Sequence, residues 1–578
     1  MSMVEIATLL DEPHHDGSDF YGGDDGAVRI HVPQDVDSVT LRYVEDGEGR
    51  GVAAKHEGDG WWSAHVPLTN PVMNYRFLLS GGDVGYAWLN GAGLVRHEPP
   101  DGDDFVLTTD PPGPAWHLES VVYEIFPDRF ASTGAGGEPP EWAVPRAWHD
   151  LPNGRSPETP YEWFGGDLPG VEAHLDHIES LGANVIYLTP IFPAGSTHRY
   201  DGTTFDRVDP LLGGDEALES LTRTAHARGM RVVSDLTTNH TGDKHEWFTG
   251  GERELYLFDE DGDYEAWWGI KTLPKLNWLS PELRRRMQDV TKKWLQPPFA
   301  LDGWRVDVAN MSGRTRDTDV NADVAPTLRA ALNDDSLLVA EHFHDFHPDW
   351  RGWHGVMNYA GFSRPVWTWL RGALEVPYFG LPLAMPQLGG DASAASMRAF
   401  RAGVPWNFVL HSWAILDSHD TARFRSVAGS QPRQLVGVGL QMTTPGVPMV
   451  FAGDELGLEG EWGEDARRTM PWGPDTPPLF DEYRRLISLR RSHEALARGG
   501  LRYAFVDEDV IAYLRETPGE RLLCLASRDE HTPVRLPLAA LCARELETLY
   551  GDDAELDSGD AVLPAACPAF HVWRLTNG

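Results

Sequence analysis

The chain has 578 residues, 41% of them hydrophobic and 24% charged, and its 88 Asp and Glu against 49 Lys and Arg give a formal net charge of −39. This is the composition of a folded chain of more than one domain, without the polarity of a disordered sequence or the roughly 18 consecutive apolar residues of a membrane span. The negative balance would repel phosphate backbones and anionic membrane surfaces, which argues against nucleic acid and membrane partners.

The stretch Met1 to Asp19 carries Glu5, Asp11, Glu12 and Asp16 without a basic start or a long apolar middle, so it is not read as a secretory signal and a cytoplasmic protein is expected. Short strands follow at Val28 to Val32, Ser38 to Val44, Trp61 to Val66 and Tyr75 to Ser80, broken by turns such as Glu57-Gly58-Asp59-Gly60, and predict an N-terminal β-sandwich over 1–114. After Asp110-Pro111-Pro112-Gly113-Pro114 the rhythm changes to apolar runs alternating with helical periods. The runs are Val121 to Phe126, Asn184 to Leu188, Arg231 to Leu236, Gly303 to Val308, Leu337 to Glu341, Val356 to Tyr359, Phe408 to Leu416 and Val447 to Phe451. Helices are expected between them at Val171 to Leu181, Asp215 to Arg228, Pro281 to Trp294, Ala325 to Leu332 and Asp391 to Ala402. Eight strands with intervening helices predict an α/β chain built on a (β/α)8 TIM barrel over 115–497. The stretch Gly242 to Leu279 is too long for an ordinary loop and is read as an insertion that shapes a cleft. Strands at Leu501 to Val506, Val510 to Arg515, Leu522 to Ser527 and Phe570 to Leu575 predict a C-terminal all-β domain over 498–578. The three cysteines, Cys524, Cys542 and Cys567, have no metal-ligand spacing and read as structural thiols.

Barrel active sites sit at the C-terminal ends of the strands, so the polar residues there carry the functional reading. The third run ends Asp235-Leu236-Thr237-Thr238-Asn239-His240, the fourth holds Arg305 and Asp307, the fifth ends at Glu341-His342, and the seventh ends Asp417-Ser418-His419-Asp420. The two-residue spacing of Arg305 and Asp307 points both side chains to one side of a strand, where a cation keeps a neighbouring carboxylate ionised. Glu341 comes one βα unit later and faces the same cavity. An ionised carboxylate beside a protonated one, about 5 Å apart, is the pair that retaining glycoside hydrolysis requires. Asp420 would hold the sugar as positive charge develops, with His240 and His419 donating to its hydroxyls. Each residue taken singly also fits a structural role; it is their joint placement on successive strand ends that favours chemistry.

These segments resemble the α-amylase family, glycoside hydrolase family 13: Asp235 to His240, Gly303 to Asn310, Glu341 with its apolar lead, and Ser418-His419-Asp420-Thr421 match its four conserved regions. The resemblance implies Asp307 as nucleophile, Glu341 as acid/base and Asp420 as transition-state stabiliser. It likewise implies Arg305, His240 and His419 as partners of the −1 sugar and Tyr200 as the ring on which that sugar stacks. Leu273-Pro274-Lys275-Leu276-Asn277, the first-strand segment Val121 to Phe130, Met357-Asn358-Tyr359, Pro445 to Gly457 and Arg467 to Trp472 are similar to the cyclomaltodextrinase, neopullulanase and maltogenic amylase group. For that group the resemblance implies small or cyclic maltooligosaccharide substrates and a homodimer in which the N-terminal domain completes the partner's site.

The chain also departs from the group. Ala131-Ser132-Thr133-Gly134-Ala135-Gly136-Gly137 stands where relatives carry a calcium loop, leaving Asp167 without its companions, so neither this metal site nor any cofactor is expected. His342-Phe343 replaces an Ile-Trp pair, and Phe343 is the residue left to stack on the +1 sugar. Trp267 and Trp268 are the pair in the insertion best suited to line the cleft, whereas Asp454-Glu455 reads as structural. The residues do not choose between hydrolysis of α-1,4 or α-1,6 bonds, an α-glucosidase or transferase acting on linear oligosaccharides, and endo or exo cleavage. The intact Asp307, Glu341 and Asp420 argue against a silent carbohydrate-binding protein.

Overall fold

The computed structural model describes residues 9–15, 26–377 and 381–576. Most of the expectation for Met1 to Asp19, and short parts of the three expected domains, lie outside the described residues. Eight parallel strands close into a barrel: Val122–Ile125, Val185–Leu188, Arg231–Thr237, Gly303–Asp307, Leu337–His342, Gly355–Asn358, Trp413–Ile415 and Val447–Phe451. Alternation along each strand divides the core in two. Val122, Val185, Tyr187, Val233, Val339, Met357, Trp413 and Met449 pack inside the barrel. Ile186, Val232, Trp304, Val306 and Leu338 face the surrounding helices. Gly303 permits a close approach of the fourth strand to the fifth, because a Cβ there would lie 2.4 Å from Leu337 O.

Before the barrel, Ala27–His31, Lys55–Gly58 and Trp61–His65 form one antiparallel sheet, and Glu48–Ala53, Ser38–Glu45, Val72–Gly81, Gly85–Asn90 and Gly93–Val95 another, with Phe105–Thr108 paired to Val72–Gly81. Val28, Ile30, Leu41, Tyr75, Phe77 and Leu79 fill the space between them, giving the expected sandwich. After the barrel, a five-stranded and a three-stranded sheet pack over Leu514, Leu523, Leu525, Leu536, Leu563 and Trp573.

Two elements differ from expectation. The apolar run Phe408 to Leu416 is a helix, Trp406–His411, followed by the short strand Trp413–Ile415. A continuous apolar run does not distinguish a buried helix from a strand, and Pro405 at the helix start was the available signal. The helix expected over Val171 to Leu181 begins earlier and is broken: Leu168–Ala173 and Leu175–Leu181 meet at His174, whose Nδ1 bonds Gly170 O at 2.9 Å and whose ring stacks on Trp472. Among the described residues no helix is long and apolar enough to cross a membrane.

Candidate active site

The expected residues converge on a cleft of about 670 Å³ at the C-terminal ends of the strands, bordered by Tyr200, His240, Asp307, Glu341, Phe343 and Asp420. Arg305, fully buried, is its electrostatic centre. Its Nη1 donates to Asp235 Oδ2 at 2.8 Å and to Asp307 Oδ1 at 3.1 Å. Its Nη2 lies 3.1 Å from Glu341 Oε2 and 3.9 Å from Asp420 Oδ2. One guanidinium thus gathers carboxylates from four strand ends and offsets the cost of burying Asp235, Asp307 and Glu341 together.

Asp307 Oδ2 accepts no hydrogen bond among the described residues, whereas Glu341 Oε2 accepts the Val308 N–H at 2.6 Å. Val308 reaches that position with φ +44°, a left-handed conformation costing a β-branched residue about 1–3 kcal/mol. The strain sits directly after Asp307 and aims the amide at the carboxyl of the next strand. Burial, reinforced by Glu341, pushes the Asp307 carboxyl well above the ordinary carboxylate range in spite of Arg305. Burial raises Glu341 too. The pair therefore holds a proton at pH values where an isolated carboxyl would have lost it. Asp420 behaves in the opposite way: burial pushes it up, but His419, Arg467 and Arg305 outweigh burial and hold it below the usual range.

Tyr200 forms the back wall. Its hydroxyl donates to Asp235 Oδ2 at 3.0 Å and lies 2.6 Å from His419 Nε2, and its ring stacks on His419 with centroids 5.6 Å apart. His240 is held by Asn239, whose Nδ2 donates to Nδ1 at 3.0 Å, so its proton lies on Nε2, which has no hydrogen bond among the described residues. Burial, with His198 and Lys275 nearby, lowers it to about 3, so it is a neutral donor at physiological pH. His240 stacks on Trp267, and Trp267 on Trp268, which is 63% exposed with φ +49°. Phe343 lies against Tyr359 with centroids 3.8 Å apart, while its neighbour His342 turns away to Asp349.

Several participants escape sequence reading. Asp235 opens a recognised segment, yet only the fold shows that one of its oxygens receives Tyr187, Tyr200 and Arg305 together. Arg467 donates to His419 O and to Asp420 Oδ1 from a distant loop. Glu124, in the first strand, contacts His419; its signal was a charge inside an apolar run, on the face shared with Val122. Lys275 Nζ holds the loop after the fourth strand through Met311 O and Arg314 O. Asp167 caps the helix at Leu168 through Gly170 N, and its other oxygen accepts Thr133 N, Thr133 Oγ1 and Ala135 N. Asp454 pairs with Arg423, and Glu455 accepts Tyr123 and His177, both structural contacts.

Residues 124–268 and 250–358 match the α-amylase catalytic domain. The chain is 29% identical to a cyclomaltodextrinase of Geobacillus thermopakistaniensis, across 91% of this chain and 92% of that protein. It is 30% identical to a cyclomaltodextrinase of Thermoanaerobacter pseudethanolicus, across 73% and 72%. Among solved structures, a cyclomaltodextrinase covers 98% of this chain and all of that one, with TM-score 0.72 at 25% identity. The cyclic α-maltosyl-(1→6)-maltose hydrolase of Arthrobacter globiformis covers 80% of this chain and all of that one, with TM-score 0.67 at 28% identity. A closed eight-stranded barrel, an arginine-centred carboxylate site and similarity to these enzymes over most of the chain agree, and the chain belongs to the α-amylase family of glycoside hydrolases.

Proposed function

We propose that the protein hydrolyses α-glucosidic bonds in small or cyclic maltooligosaccharides, with retention, through a glycosyl intermediate on Asp307. The observation that carries this reading is the meeting of Asp307 and Glu341 on one buried guanidinium at the cleft, with Asp307 Oδ2 left without a hydrogen bond among the described residues. Arg305 makes an aligned hydrogen bond to Asp307 Oδ1, which favours the negative charge there and leaves the shared proton to Glu341 Oε1. In the first step Glu341 gives that proton to the glycosidic oxygen as Asp307 Oδ2 bonds to the anomeric carbon and the leaving sugar departs. In the second step Glu341 takes a proton from water, whose oxygen displaces Asp307 and restores both carboxyls. The ionised Asp420, together with Arg305 and His419, grips the −1 sugar, Tyr200 offers its ring, and His240 donates from Nε2.

Trp267, Trp268 and Ile270 border the cleft, so residues 242–279 supply its outer wall in this reading. Phe343 stands on the leaving-group side. The exposed Tyr161, Trp268 and Ile270 make an apolar rim suited to a second copy of the chain, and we place the N-terminal sandwich of a homodimer partner against it. Sedimentation equilibrium at micromolar concentration should return twice the chain mass; a monomer ends this part of the proposal.

Time-resolved product analysis on maltotriose, cyclodextrins, a cyclic mixed-linkage tetrasaccharide, pullulan and soluble starch tests the substrate assignment. Ring opening should outpace starch hydrolysis. Glucose release from linear ends, or transfer products in place of hydrolysis, would replace it with an α-glucosidase or transferase.

A further inference from the structure

Glu124 is a buried acid that the reaction scheme does not use. It lies in the first barrel strand with no exposed surface, next to the apolar barrel interior around Val122 and Met449. Among the described residues its only ion-pair partner is His419, whose Nδ1 is 2.5 Å from Oε1, and its Oε2 is buried without a hydrogen bond. A lone carboxyl there is costly unless a charge or a proton answers it.

The hydrogen inventory around His419 decides which. Tyr200 has one hydroxyl proton, and that proton is committed to the Asp235 carboxylate at 3.0 Å. The Tyr200 oxygen, 2.6 Å from His419 Nε2, is therefore an acceptor, so Nε2 carries a proton. Asp420 Oδ2, 3.1 Å from the same nitrogen, is a second acceptor. The proton in the Glu124–His419 bond then rests on whichever group the surroundings favour, and the anionic Asp420 beside Nε2 favours positive charge on the ring. We infer that His419 works as an imidazolium whose charge Glu124 holds in place, which makes Glu124 a positioning residue for Asp420 and for the −1 sugar.

The other charged groups facing this pair fit the assignment. Arg467 donates its Nε to His419 O and Nη2 to Asp420 Oδ1, so both cations converge on one carboxylate. Arg305 stands 3.9 Å from Asp420 Oδ2, and Asp235 accepts the Tyr200 hydroxyl. Just after the sixth strand Tyr359 approaches Ser418 rather than the ring, and the Phe126 ring beside His419 carries no charge. His419 and His240 then divide the work: one supplies charge, the other a neutral N–H.

The consequence for turnover rests on the proposed α-glucan hydrolysis, whereas the protonation state does not. Nitrogen-15 NMR of the full-length protein with labelled histidine reads it directly, the His419 signals being assigned by their loss in His419→Gln. Both ring nitrogens should resonate as protonated in the wild type at pH 7, and one of them should resonate as unprotonated in Glu124→Gln at the same pH. In the pH profile of kcat/KM, the ratio of the pH 8 value to the pH 6 value should fall ~10-fold in Glu124→Gln and recover in Glu124→Asp. A neutral His419 in the wild type at pH 7, or an unchanged profile in Glu124→Gln, overturns the inference. Should Glu124→Gln not fold, the wild-type spectrum decides alone. A protein with no activity on any α-glucan would defeat the proposed function and leave the spectroscopic result standing.

Discussion

Two arginine-centred acid clusters lie near the ends of the barrel strands, and only one is built for chemistry. Arg305 meets Asp235, Asp307, Glu341 and Asp420, with Tyr200 and Met357 as its other neighbours. Arg423, equally buried, pairs with Asp454 and gives its remaining donors to Phe451 O, Ala452 O and Ala466 O while its guanidinium stacks on Phe451. Asp417 joins that second cluster, accepting Phe424 N, and burial with Asp454 beside it pushes its carboxyl well above the ordinary range. Side-chain types and burial are alike. The difference lies in what surrounds the cation: backbone carbonyls take most donors of Arg423, whereas Arg305 faces carboxylates from four strand ends and Asp307 Oδ2 is left without a hydrogen bond at the cleft. Like-charge crowding costs stability, and the cost is concentrated where a developing positive charge on a sugar would relieve it.

The sharpest break of this comparison is chemical. Asp307→Ala and Glu341→Gln should each lower kcat on α-glucans by ~10⁴-fold or more, without loss of cooperative unfolding. Near-normal turnover in either purified variant would remove the distinction between the clusters. Arg423→Met should do the reverse, costing about 3–5 kcal/mol in denaturant unfolding because Asp454 is left buried and unpaired, with activity falling in step with the folded fraction. A stable, inactive Arg423→Met protein would contradict the structural assignment.

The pH dependence sharpens the contrast further. The folded protein holds the coupled Asp307–Glu341 pair above its unfolded range, so the native state binds more protons than the unfolded one. The pair's contribution is most favourable below the ordinary carboxyl range, about pH 4, and is lost as pH rises toward the folded value. Asp307→Asn removes this penalty, so thermal melts should show Tm a few degrees above wild type, about 2–4 °C, at pH 8 and a smaller difference at pH 5. An equal difference at both values would mean that Asp307 is not strained by its neighbours. The smallest effect concerns the cleft wall. Trp268→Ala should raise KM for cyclic substrates by about 3–10-fold with little change in kcat, because an exposed ring lends only stacking. A fall in kcat with KM unchanged would place Trp268 in the catalytic step instead.

Much of this was legible in the chain itself. Seven of the eight strand runs lie within a few residues of the strands that form, because apolar runs bounded by turns reflect burial on both faces. Phe408 to Leu416 failed because burial on all sides erases the period that separates helix from strand. The nominated residues Tyr200, His240, Arg305, Asp307, Glu341, Phe343, His419 and Asp420 all meet at one cleft, since each falls at or just beyond a strand end, where the barrel brings distant segments together. Glu124 and Arg467 lay inside recognised segments, but nothing in the sequence paired them with His419 and Asp420. Glu124 passes for a strand residue and Arg467 for a loop residue until closure of the barrel sets one against each nearby atom of His419 and Asp420. The sequence alone determined the barrel, its flanking β-regions and the kinds of groups at its mouth, because period, turn chemistry and residue type are local properties. Which carboxyl keeps a proton, which histidine carries charge and which acid cluster stays open were decided only by the tertiary structure, because electrostatic energies depend on distances of a few ångströms between residues hundreds of positions apart.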